Sequence, residues 1–125
     1  MEQPDFEKRG GLVTAIAQDA DDGEILMVAY MNRQAWQRTL DTRVATYWST
    51  SRLALWVKGE TSGNTQDVVE IRVDCDADVV LLKVRQHGAA CHLGYKSCFH
   101  RRVDEKEWRV TAERVADPER LYGKK

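Results

Sequence analysis

Cysteine is scarce and odd in number: Cys75, Cys91 and Cys98 are the three in 125 residues. An odd count cannot close into a full set of disulfides within one chain, which excludes a disulfide-stapled secreted scaffold. Proline is rarer still. Pro4 and Pro118 are the two present, both near the ends, so the sequence predicts an ordered core over about 10–116 with polar, loosely held ends at Met1–Lys8 and Pro118–Lys125. Long apolar runs are missing. The longest, Ile25–Met31, falls far short of the roughly 20 residues of a membrane helix, and Met1–Gly10 holds no signal-peptide core. A cytoplasmic protein without membrane contact is expected, its thiols reduced. An excess of either charge is missing too: 19 Lys and Arg face 20 Asp and Glu, a formal net charge of −1. A nucleic-acid-binding protein normally carries a basic excess, so no nucleic-acid partner is expected.

Apolar residues, by contrast, make up 42% of the chain and include four Trp and four Tyr. That is enough to offset chain entropy and excludes intrinsic disorder. The length suits one domain, 1–125, and two fused enzymes are not expected within it. Leu12–Ala17 and Glu24–Met31 read as strands around an Asp21-Asp22-Gly23 turn. Asn32 is a good N-cap for a short helix over Arg33–Leu40, with Trp36 and Leu40 on one face. Val44–Ser49, Leu53–Lys58, Val68–Val73 and Val79–Val84 follow as strands, the last apolar nearly throughout and so central. Glu60–Thr65 and Gln86–Ser97 read as loops; Phe99–Val103 and Glu107–Val110 read as further short strands. The pattern predicts a β-rich α+β fold of curved mixed or antiparallel sheets with one or two short helices.

Three clusters carry chemistry. Asp74-Cys75-Asp76-Ala77-Asp78 sets three carboxylates in five residues. Such oxygens suit Mg²⁺ or Ca²⁺, although a solvated acidic turn has the same composition. An EF-hand is excluded, because its sixth and twelfth positions hold Val79 and Arg85 in place of Gly and Glu. In an extended strand the outer two carboxylates would stand about 13 Å apart, so either the segment curls or not all three touch one ion. Strand alternation would also turn Cys75 away from them, towards a different site, even one on another subunit. Cys91 and Cys98 flank a loop with six residues between them. Three thiolates match a zinc site with one position open, or are three small buried hydrophobes. His92, next to Cys91, is a candidate general base or fourth ligand; His87 and His100 read as polar surface histidines. The motifs of zinc nucleobase deaminases, His-x-Glu and Pro-Cys-x-x-Cys, are absent. Finally, Arg52 and the Trp56–Asn64 stretch combine cations, hydroxyls and glycines that suit a phosphate or form a hairpin loop. The stretch is not a Walker loop.

Taken together, Ala29–Asn32, Trp48–Arg52, Leu55–Asn64, Asp74–Asp78 and Ala90–His92 through Ser97–Phe99 resemble the phosphoribosyl-AMP cyclohydrolases of histidine biosynthesis. The resemblance implies hydrolytic opening of the adenine ring of 1-(5-phosphoribosyl)-AMP between N1 and C6, giving the formamidino-carboxamide ribonucleotide. It implies Mg²⁺ on Asp74, Asp76 and Asp78, and Zn²⁺ on Cys91, Cys98 and a Cys75 contributed by the other subunit of an intertwined homodimer. His92 is then the expected base, with Arg52, Trp56, Lys58, Ser62, Gly63 and Asn64 as substrate contacts. Three positions depart from the family pattern: Leu93 stands where it usually has Thr, Thr50 where it usually has Arg, and Arg43 where it often has Gly.

Overall fold

The computed structural model describes residues 2–121; Met1 and Tyr122–Lys125, part of the expected loose ends, lie outside the described residues. The elements are β1 (Val13–Asp19), β2 (Ile25–Met31), α1 (Arg33–Thr42), β3 (Thr46–Ser49), β4 (Ala54–Val57), β5 (Gln66–Val73), β6 (Val79–Gln86), β7 (Arg101–Asp104), β8 (Glu107–Val110) and the single turn α2 (Pro118–Leu121). The fold is α+β and β-rich, as expected, and every strand read from the sequence is present with small shifts at its ends.

Six strands form one mixed sheet in the order β4-β3-β2-β1-β6-β5, and β7 and β8 form a separate hairpin. All neighbours in the large sheet are antiparallel except β1 and β6, which run parallel from Thr14 opposite Val79 to Asp19 opposite Val84. The alternating burial of β1 and β6 turns Val13, Ala15, Ala17, Val80, Leu82 and Val84 into the core. The sheet curls into a half-barrel. The start of β5 reaches back to the segment before β3, where the Ala45 N–H donates to Gln66 O (3.0 Å) and the Val68 N–H to Arg43 O (2.8 Å). Inside the curl, the Tyr47 hydroxyl donates to Gln66 Oε1 (2.6 Å), and Gln66 Nε2 donates to Gln86 Oε1 (2.9 Å). These bonds satisfy polar groups that would otherwise be costly to bury.

The helix starts where its cap predicts. Asn32 Oδ1 accepts from the Ala35 N–H (2.9 Å), and Ala35, Trp36 and Thr39 are buried. Thr39 Oγ1 accepts from the Thr46 N–H (3.0 Å), which fixes the helix against β3. It ends on Arg43, whose φ of 60° is left-handed. A side chain in that conformation is strained by about 1 kcal/mol, which glycine avoids. This accounts for the glycine of the family pattern at this position, from which Arg43 departs. Arg43→Gly is expected to raise stability by about 1 kcal/mol, seen as a higher urea midpoint with an unchanged slope.

The N-terminal end is a correction to the sequence reading. Phe6 is only 1% exposed, and the Asp5 N–H donates to Ala77 O (2.7 Å) in the β5–β6 turn. The buried ring acts together with the Asp5 bond and the ion pairs of Lys8 and Arg9 with Asp76 and Asp78 to offset the ordering cost of the segment. A short 3₁₀ turn, Glu7–Arg9, follows.

Candidate functional site

The acidic motif forms the turn between β5 and β6. The Asp74 N–H donates to Val79 O (3.0 Å), the Ala77 N–H to Asp74 O (3.1 Å), and Ala77 adopts a φ of 65°. Asp74 Oδ1 accepts from the backbone of Asp78 (3.0 Å) and Val79 (3.1 Å), which locks the turn. Of the two alternatives that the sequence left open, the segment takes the curl. One carboxylate oxygen from each of Asp74, Asp76 and Asp78 lies within 4.8 Å of the others. Oxygens bound to one divalent ion at about 2.1–2.6 Å are separated by about 4–5 Å at most, so these three fit one such ion. The cluster draws cations from the N-terminal turn: Lys8 Nζ lies 3.3 Å from Asp76, and Arg9 Nε lies 2.9 Å from the buried Asp78. The hydrogen bond from Lys8, and those to Asp74 and Asp78, hold the Asp76 carboxyl below its usual range.

Cys91 and Cys98 come together in the loop after β6. Cys91 is buried, and the Cys98 thiol is pushed up to about 11 by its loss of solvent and by Cys91 beside it. A tight turn shapes the loop: the Gly94 N–H donates to Cys91 O (3.0 Å) and the Cys91 N–H to Tyr95 O (3.1 Å). The Leu93 N–H donates to Cys91 Sγ (3.4 Å), a contact suited to a thiolate that binds a metal. Residue 93 contributes only its backbone to that contact, so the exchange of Thr for Leu93 leaves it intact. Cys75 is exposed on the acidic turn; among the described residues the three carboxylates form the only cluster of at least three candidate metal ligands, and the thiols do not complete a second.

The cysteine loop is anchored on two sides. On one, the Cys98 N–H donates to Leu26 O (2.7 Å) and Ser97 Oγ to Ile25 O (2.7 Å). There Lys96 Nζ also reaches Asp22 (2.7 Å), Asp19 (3.0 Å) and Glu24 (3.3 Å), which raise its pKa. On the other, Lys58 Nζ donates to Ala90 O (2.6 Å) from a buried position. Burial lowers the Lys58 pKa, and Cys98 and Cys91 oppose that. His92 sits on the exposed tip of the turn. His87 is exposed and bonded to Asp67 (2.7 Å). His100, in contrast, is buried at 6% exposure and stacked on Tyr95 at 3.8 Å. The sequence reading of His100 as a surface residue missed this because a ring stack between residues five apart in a loop leaves no periodic signal.

Arg52, Trp56, Lys58, Glu60 and Ser62 line a cleft of about 230 Å³. Arg52 is exposed on the β3–β4 turn. Asn64 is buried with its Nδ2 lacking any acceptor among the described residues. Arg52, Trp56, Ser62, Gly63 and Asn64 thus belong to β4 or the loops on either side of it, and the Lys58 ammonium turns inward from the same edge.

The family model for phosphoribosyl-AMP cyclohydrolase matches residues 27–100. The chain belongs to the phosphoribosyl-AMP cyclohydrolase family. It is 58% identical over 125 residues to the phosphoribosyl-AMP cyclohydrolase of Desulfatibacillum aliphaticivorans, covering 99% of this chain and 100% of that one. It is 58% identical over 114 residues to that of Methanothermobacter thermautotrophicus (90% and 83%), and 63% over 102 residues to that of Hyphomonas neptunium (82% and 77%). The activity is accordingly that of a phosphoribosyl-AMP cyclohydrolase, a hydrolase of histidine biosynthesis. Among the described residues no helix is long and apolar enough to cross a membrane.

Proposed function

We propose that the chain opens the adenine ring of 1-(5-phosphoribosyl)-AMP between N1 and C6 as a homodimer that depends on zinc and magnesium. The observation that carries this reading is the placement of the cysteines. Two thiols meet in one loop, while the third is exposed on a turn elsewhere. A zinc set of Cys91, Cys98 and Cys75 of the partner subunit has three thiolates and one open position. Val103, Trp108 and Val110 leave an apolar face on the β7–β8 hairpin, beside Cys98, that a second copy would cover.

When bound, zinc supplies a water acidified towards neutral pH. His92, at the tip of the turn that begins at Cys91, accepts a proton as water adds to C6 of the adenine. The C6–N1 bond then breaks, and the proton is returned to N1. Arg52, Trp56 and Ser62 bind and orient the nucleotide in the β4 cleft, with Gly63 and Asn64 shaping the loop that follows Ser62. Asp74, Asp76 and Asp78 hold Mg²⁺, which screens the substrate phosphates. The cleft supplies local positive charge, so a protein of near-zero net charge can bind a doubly phosphorylated nucleotide.

Ultraviolet assay of ring opening, paired with metal analysis, tests the reading. Wild type should hold about one zinc per chain, and His92→Ala should lower turnover by about 10²–10⁴-fold with its zinc retained. Loss of the zinc in that variant would make His92 a ligand, and active wild type free of zinc would overturn the site.

A further inference from the structure

Lys58 follows directly after β4, in the stretch read from sequence as a phosphate cradle, yet its ammonium does not face solvent. The residue is 5% exposed, and its Nζ donates to Ala90 O at 2.6 Å. An ammonium has three N–H bonds and no capacity to accept, and this one carbonyl satisfies one of them. The Trp56 ring lies 5.7 Å away. Among the described residues no carboxylate is paired with Lys58; the ionisable groups that act on its charge are Cys98 and Cys91.

A buried cation without an anion is expensive. So is the proposed metal centre on its own, because three thiolates around one dication leave a single net negative charge. Each charge answers the other. The peptide carbonyl that Lys58 holds belongs to Ala90, the residue before Cys91, so the same side chain also fixes the backbone that aims the sulfur.

We infer that Lys58 is the charge partner of the cysteine metal centre and the positioning residue for the Cys91 loop, and not a contact to substrate phosphate. The inference rests on the proposed zinc reading of Cys91 and Cys98. Arg52 and the hydroxyl-bearing loop around Ser62 are then left as the phosphate contacts of the cleft.

The test compares zinc retention in the full-length protein with Lys58→Met, Lys58→Gln and Lys58→Arg, using competition with a chromophoric chelator, alongside kcat and KM. Lys58→Met should weaken zinc binding by about 10–100-fold, the usual effect of removing a group that supports metal ligands. Lys58→Gln, which keeps a donor for Ala90 without the charge, should weaken it by more than Lys58→Arg, which keeps the charge. Should Lys58→Met fail to fold, the Gln and Arg pair decides. Zinc retention equal to wild type in the uncharged variants, with KM raised and kcat kept, would overturn the inference in favour of a phosphate contact. Equal losses in Gln and Arg would overturn the charge role. The zinc content of wild type reports separately on the underlying reading, and its absence would remove the centre and this inference together.

Discussion

Cys91→Ser is expected to fold and yet lose cyclohydrolase turnover by about 10³-fold or more, equivalent to about 4 kcal/mol of transition-state stabilisation. The substitution is nearly isosteric in a buried turn whose shape comes from backbone bonds at Gly94 and Tyr95. The serine oxygen can still accept from the Leu93 N–H. What it cannot do is form a stable anionic ligand at neutral pH. Measured on the metal-free proteins, stability should therefore change little, while zinc content, the stabilisation that zinc adds and activity fall together. Cys75→Ser should have the same effect on activity from an exposed site. The two inactive proteins offer a stronger test when mixed. In a heterodimer, one of the two shared sites has all its thiols and the other has two defects. Recovery of activity on subunit exchange is the expected result; verified heterodimers that stay inactive would place all three ligands within single chains.

Gly59→Ala should have the largest effect on stability, about 3–5 kcal/mol. Gly59 has a φ of 85°, and a Cβ there would stand 2.3 Å from the Asn64 carbonyl carbon, 2.4 Å from the Thr65 nitrogen and 2.6 Å from Asn64 O. All three are backbone atoms and cannot swing aside. The loop would have to open between Gly59 and Asn64, breaking the Gly63 N–H bond to Gly59 O (2.7 Å) and shifting Ser62 away from Arg52 across the cleft. Gly63→Ala separates the two costs. Its φ of 83° is equally left-handed, but a Cβ there meets nothing within 4 Å. It should cost only the conformational strain, about 1–2 kcal/mol. Urea unfolding of both variants checks this, and equal losses would show that the close approach at Gly59 is relieved elsewhere.

The strands and the helix were legible because each has a local signature. Alternation marks β5, a nearly unbroken apolar run marks β6, and Asn32 announces the helix. The acidic cluster and the cysteines were legible as chemistry but not as geometry. The straight-strand argument left a curl at Asp74–Asp78 as one of two outcomes and could not choose it, because a tight turn, with Ala77 in a left-handed conformation, is specified by few residues and leaves little trace in composition. The burial of Lys58 was not legible for a related reason. A lysine in a loop of glycines and hydroxyls looks solvent-facing, and only the fold brings the Ala90 carbonyl to it across a gap of 32 residues. Burial of Phe6 and His100 was invisible because neither belongs to a periodic segment. The parallel pairing of β1 with β6 is likewise a tertiary fact: nothing local in either strand names its partner.

That pairing has a kinetic consequence. Joining Thr14 to Val79 closes a loop of about 65 residues, whereas β1–β2 and β5–β6 are adjacent hairpins that can form early. The chain is thus built from two locally assembled halves whose docking comes late. The anchors of the cysteine loop span that junction. Ser97 and Cys98 bond to β2, and Lys58 bonds to Ala90. A partly folded chain therefore presents scattered thiols and no assembled centre. Metal capture by Cys91 and Cys98 should follow docking, drawing the folding equilibrium towards the native state instead of nucleating it.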